Sequence, residues 1–210
     1  QVFAVNGYKV TLTDVDKDVL GGAVNNIRSN LELMAGYGIV KESEISSALE
    51  NVQTTQELSQ AAGDADFVLE AVAENTELKQ NVFAELDKTC PGDAILATNT
   101  SVISITEVAQ KASNRDRIVG THFWNPPYLV PLVEVVPGED TSAATVEKTH
   151  ELLCSVGKKA VKVKRDVPGF VGNRLQHALW REAISIVANG IADPQTVDEC
   201  VKYGFGLRLP

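Results

Sequence analysis

His122 and Glu134 lie twelve residues apart, in a stretch reading Gly120-Thr121-His122-Phe123-Trp124-Asn125-Pro126-Pro127 and then Pro131-Leu132-Val133-Glu134-Val135-Val136. The histidine falls just past the carboxyl end of one strand-like run, where open α/β sheets place their ligands. The glutamate sits on the next run, within reach of the imidazole. Taking a hydroxyl proton while hydride leaves the adjacent carbon requires a base that titrates near neutrality, as histidine does. A neighbouring carboxylate fixes the tautomer of that histidine and stabilises the imidazolium that forms. Taken alone, such a pair also fits a satisfied strand-end histidine and a surface carboxylate.

The elements that must hold this pair are legible from residue type. Runs at 8–13, 66–72, 94–97, 117–120, 132–136 and 160–163 are rich in β-branched residues and bounded by Gly, Pro or Asp, as strands are. Helical patterns lie between them. Asn75 caps one that presents Leu78, Val82, Phe83 and Leu86 and stops before Pro91-Gly92. Ser104-Ile105-Thr106-Glu107 fits a capping box. Ser142 opens another helix, which ends at Gly157. This alternation predicts an α/β fold with a doubly wound, mostly parallel sheet.

After Asp166-Val167-Pro168-Gly169 the pattern becomes helical throughout. Residues 170–189 form one long amphipathic stretch ending at Gly190, and Asp193-Pro194 starts another. The expected domains are therefore 1–166 and 167–210, the second the beginning of an all-α domain cut short.

At the other end, Asp14 closes the first strand-like run, where a dinucleotide-binding fold carries the acid that bonds the adenosine ribose. That acid ordinarily follows a Gly-rich turn by roughly 20 residues. Only thirteen residues precede Asp14, and Gly7 is the sole glycine among them. Residues 1–6 read as the tail of a helix, so the first strand and phosphate loop are expected to be missing from the sequence.

Composition narrows the partners. The net charge of −9 argues against nucleic acid, which requires a basic stripe. No apolar run reaches the roughly 18 residues of a membrane span, and no signal peptide is visible. Cys90, Cys154 and Cys200 are odd in number and widely spaced, which fits reduced thiols in a cytoplasmic setting. No Cys/His cluster has metal-ligand spacing, so no metal is expected.

Four motifs occur together and in order: Asn99-Thr100-Ser101, Gly120 to Pro126, Leu132-Val133-Glu134-Val135, and Asp166-Val167-Pro168-Gly169-Phe170-Val171-Gly172-Asn173-Arg174. Together they resemble the 3-hydroxyacyl-CoA dehydrogenase family, over nearly the whole chain. The resemblance implies a Rossmann-type NAD-binding domain followed by a helical domain that supports a homodimer and closes over substrate. It implies an NAD-dependent oxidation of a 3-hydroxyacyl-CoA, a step of fatty acid metabolism. By this resemblance Asp14 would hold the adenosine ribose, and Glu74 and Lys79 would line the cofactor site. Ser101 would touch nicotinamide and substrate, His122 would be the base oriented by Glu134, Asn125 would sit by the nicotinamide ribose, and Asn173 would position substrate.

Two departures bear on substrate. Where acyl-CoA members offer a hydroxyl and, about two turns on, a lysine to CoA, this chain has Asn30 and Tyr37, with Arg28 nearby as a possible substitute. Asn125-Pro126 is followed by Pro127, which is similar to relatives acting on small CoA-free acids, such as gulonate and pyridoxine-breakdown dehydrogenases. A CoA-free hydroxy acid or related alcohol is the alternative substrate. A non-catalytic NAD-binding structural protein is a third reading.

Overall fold

The computed structural model describes residues 1–208. It divides between Pro168 and Gly169 into two compact units.

The first unit runs α1 (Val2–Val5), β1 (Val10–Thr13), α2 (Lys17–Gly36), α3 (Glu42–Glu50), β2 (Val52–Thr55), α4 (Leu58–Ala62), β3 (Phe67–Glu70), α5 (Thr76–Thr89), β4 (Ile95–Thr98), α6 (Ile105–Val108), β5 (Ile118–Phe123), β6 (Leu132–Pro137), α7 (Ala143–Ser155) and β7 (Lys159–Lys162). The anticipated N-caps form, with Ser104 supplying the side-chain cap alone. Asn75 Oδ1 accepts the Leu78 amide at 2.9 Å, Ser104 Oγ that of Glu107 at 3.3 Å, and Ser142 Oγ that of Thr145 at 3.1 Å. Gly157, at φ +79°, ends α7 in the left-handed conformation that a side chain would strain.

The strands form two sheets rather than one. β1 and β2 pair in parallel; the other five run in the order β3-β4-β5-β6-β7, parallel except for the antiparallel β5–β6 pair. Among the described residues β1 bonds only β2, and β3 bonds only β4, so each leaves one edge unpaired. Strand β2, Val-Gln-Thr-Thr, is an addition to the sequence reading, which passed over it. Its two central residues are exposed, so it lacks the apolar alternation that marks a half-buried strand.

The five-stranded sheet is covered on both faces. One face carries Ile95, Ala97, Val119, Val133, Val135 and Ala160, packed on Leu153 and Val146 of α7 and on Phe3 of α1. On the other, Ile105 of α6 lies over Gly120. A Cβ at Gly120 would come within 2.5 Å of the Ile105 Cδ1 and 3.2 Å of the Val136 Cβ, so glycine lets α6 approach the strand. At the opposite end of the sheet, Arg117 Nη2 bonds Asp87 Oδ1 at 2.9 Å and ties β5 to α5.

The second unit begins at Gly169. It contains α8 (Gly172–Ala188), α9 (Pro194–Cys200), a segment Val201–Phe205 that kinks at Gly204, and α10 (Gly206–Arg208). Gly190, at φ +67°, terminates α8, and the Asp193 carboxylate caps α9 through the Thr196 amide at 2.7 Å. Leu175, Leu179, Trp180 and Ile184 of α8 are exposed. No described helix is long and apolar enough to cross a membrane.

Candidate active site

His122 and Glu134 occupy directly opposed positions in the antiparallel β5–β6 pair. Register therefore puts both side chains on one face of the sheet. The His122 Nδ1 lies 2.8 Å from Glu134 Oε2, and the two residues are 5% and 1% exposed. A carboxylate oxygen can only accept, so Nδ1 carries the proton and Nε2 is the basic nitrogen. Since β6 runs antiparallel, Glu134 sits near its start, at the same end of the sheet as the carboxyl ends of β3, β4 and β5.

The register continues across the sheet. Glu70 pairs with Thr98 and Thr98 with Gly120, so Glu70, Thr98, Gly120 and His122 share a face. Glu70 is the buried centre of a second ionic group. Its Oε1 takes the Lys79 ammonium at 2.8 Å and the Val72 amide at 2.6 Å, while Oε2 takes the Thr98 hydroxyl at 2.7 Å. Lys79 is 0% exposed and also reaches Glu74 Oε2 at 3.5 Å. It is thus neither a surface charge nor in contact with the solvent side of the site. Its ammonium lies against the two carboxylates, Glu70 and Glu74.

Glu74 faces the loop that carries Ser101. Its Oε1 accepts the Thr100 hydroxyl at 2.6 Å and the Ser101 and Val102 amides at 3.0 and 3.3 Å. Burial alone would raise this carboxyl, but the Thr100 hydroxyl, the Ser101 amide, Lys79 and the Val102 amide together hold it below the ordinary glutamate range. Asn99 Oδ1 accepts the Phe123 amide at 3.0 Å, so the same loop is fastened to the end of β5. Behind it, Asp166 Oδ2 takes the hydroxyls of Ser104 and Thr106 at 2.6 and 3.1 Å and the Thr106 amide at 3.0 Å.

Asn125 is exposed, on the loop between β5 and β6, and its bond to Pro126 is cis. Lys158 anchors this loop, donating to the carbonyls of Pro127 and Val130, the latter at 3.0 Å. Burial pushes its ammonium below the usual lysine range.

Of the remaining residues singled out in the sequence, Asp14 follows β1, with Oδ1 taking the Asp16 amide at 2.9 Å. Arg28 and Tyr37 are exposed, on α2 and at its C-cap. Asn30 is half-buried and donates to Gln1 Oε1 at 3.4 Å. Asn173 lies in the first turn of α8, in the second unit. Sequence reasoning gave no role to Glu70, Asn99, Thr100, Trp124 or Asp166. A signal existed for Glu70, an acid inside the apolar run Phe67-Val68-Leu69.

The comparisons with known proteins agree with the motifs. Residues 1–167 match the family 3-hydroxyacyl-CoA dehydrogenase, NAD binding domain. The chain belongs to the 3-hydroxyacyl-CoA dehydrogenase family. Residues 169–210 match the C-terminal domain of the same family. The chain is 38% identical over 196 residues to 5-formyl-3-hydroxy-2-methylpyridine 4-carboxylate 5-dehydrogenase of Mesorhizobium japonicum, covering 91% of this chain and 62% of that protein. It is also 38% identical over 205 residues to a probable 3-hydroxybutyryl-CoA dehydrogenase of Bacillus subtilis, covering 98% of this chain and 71% of that protein. The crystal structure of 3-hydroxybutyryl-CoA dehydrogenase from Escherichia coli K12 superposes with a TM-score of 0.90 at 34% identity, covering 96% of this chain and 42% of that one. The fold of this 3-hydroxyacyl-CoA dehydrogenase family member is accordingly Rossmann-type, and its cofactor is NAD.

Proposed function

We propose that the protein oxidises a 3-hydroxyacyl-CoA to the 3-oxoacyl-CoA with NAD, using His122 as general base. The observation that carries this reading is the buried His122–Glu134 contact at the carboxyl end of the parallel strands. His122 Nε2 takes the proton of the 3-hydroxyl as hydride departs from the same carbon. Glu134 holds the ring in the productive tautomer and offsets the charge of the imidazolium. Bound NAD supplies the hydride acceptor. Ser101 contacts nicotinamide and substrate, Asn125 the nicotinamide ribose, and Asn173 positions substrate. Glu74 shapes the cofactor side of the site and Lys79 holds Glu74.

The residues fit a dinucleotide. A half-exposed carboxylate at the end of β1 can accept from both ribose hydroxyls, and the same charge repels a 2′-phosphate. Asp14→Ala should therefore narrow the preference for NAD over NADP, measured as the ratio of kcat/KM values. A native enzyme that already favours NADP would show that Asp14 has been misassigned.

A CoA-free hydroxy acid is the second reading, and specific observations favour it. Asn30 is engaged by Gln1, Tyr37 stands where CoA-binding members have lysine, and the Mesorhizobium relative is named for a pyridine carboxylate. Arg28, exposed on α2, is a cation available to a CoA phosphate or a substrate carboxylate. Incubating the full-length protein with NAD and either 3-hydroxybutyryl-CoA or gulonate-like acids separates the two. Turnover of the acids with none of the thioester overturns the first reading. From the family resemblance alone, the protein is further inferred to be a cytoplasmic homodimer.

A further inference from the structure

Trp124 follows the end of β5, two residues beyond His122. Its indole Nε1–H donates to Glu134 Oε2 at 3.4 Å, the same oxygen that His122 Nδ1 reaches at 2.8 Å. The indole and imidazole centroids are 5.7 Å apart, with the planes inclined at 54°. Glu134 therefore has two N–H donors on a single oxygen.

We infer that Trp124 is a positioning residue that holds the Glu134 carboxylate against His122 through this shared oxygen. The inference rests on the general-base reading for its consequence in catalysis, but the coupling itself does not. A second N–H donor on one carboxylate oxygen restricts rotation of the carboxylate about its last torsion. The indole thereby selects which carboxylate oxygen faces the ring and holds it there. The donor distance is long, so the coupling is a fraction of a full charged hydrogen bond.

Several charged groups among the described residues share this part of the sheet. β3 contributes Glu70, closed on Lys79 of α5, and the turn after β3 contributes Glu74. Lys159 of β7 lies two residues from Val161, the residue opposite Glu134 in the sheet. Asp166 is bonded to Ser104 and Thr106 beside α6. None of these is altered by a change confined to the indole N–H.

Trp124→Phe keeps an aromatic ring beside the imidazole and removes the donor. Replacing the indole by its benzothienyl isostere removes only the N–H, and it reports on the contact even if the phenylalanine variant folds poorly. Crystal structures of both variants of the full-length protein should show the Glu134 carboxylate turned so that its 2.8 Å contact with His122 Nδ1 opens beyond roughly 3.5 Å. Turnover should fall several-fold with KM little changed. A Glu134 oxygen still at 2.8 Å from Nδ1 in the isosteric variant overturns the inference. A displaced carboxylate with unmoved turnover leaves the positioning role standing and refutes His122 as the base.

Discussion

His122→Gln should lower turnover by about 10² to 10⁴, the usual contribution of a positioned general base, and leave NAD affinity little changed. Glutamine is the informative replacement because its amide can still donate to Glu134. Alanine would leave a carboxylate that is 1% exposed without the partner at 2.8 Å, mixing a stability cost with the loss of chemistry. Steady-state kinetics in the full-length protein supply turnover, and direct titration with NAD supplies affinity. The division between the two follows from position. Asp14, Glu74 and Asn125 are assigned to the dinucleotide, whereas His122 is assigned only to the substrate hydroxyl. Unchanged turnover on this substitution would refute His122 as the base, whereas a native protein that binds NAD and turns over no hydroxy substrate would favour the non-catalytic reading.

The second large effect is on stability. Lys79→Met should destabilise the first unit by about 3 to 5 kcal/mol, because breaking a buried ion pair from one side leaves the other charge uncompensated. Glu70 is 4% exposed and its bonds to Thr98 and Val72 do not replace the ammonium at 2.8 Å. The double variant Lys79→Met with Glu70→Gln removes both charges and should recover part of the loss. Urea unfolding of the three proteins measures both effects. A loss below about 1 kcal/mol for Lys79→Met would mark the pair as a solvated one. The same substitution should loosen residues 100–102, since Glu74 loses the cation behind it while its three bonds to that loop remain.

These two groups differ in how readily the sequence discloses them. His122 and Glu134 are separated by one short connection between neighbouring strands, so strand pattern and spacing alone bring them together. Their antiparallel register then follows from the chain doubling back. The Glu70–Lys79 pair is nine residues apart across a strand, a turn and a helix, and no periodicity links such positions. Glu70 appears in the sequence as an acid within an apolar strand, but its partner emerges only when α5 packs on the sheet. Trp124 is similar. Its type suggests core, and only the geometry of the loop directs its N–H to Glu134.

The fold divides along the same line. The six strands anticipated from β-branched runs are formed, with ends shifted by a few residues, and the caps at Asn75, Ser104, Ser142 and Asp193 are local features that sequence reports directly. Strand β2 was hidden because Val52–Thr55 is short and polar at its centre. The division of the strands into groups of two and five was hidden because pairing depends on which edges meet, a property of the assembled unit.

The most direct test of the central claim is a crystal structure of the full-length protein with NAD and a bound hydroxy substrate. The account predicts the substrate hydroxyl within hydrogen-bonding distance, roughly 3 Å, of His122 Nε2, with the imidazole still held by Glu134. A dinucleotide seated at the far end of the sheet, or a hydroxyl bonded to another side chain and remote from that nitrogen, would contradict it.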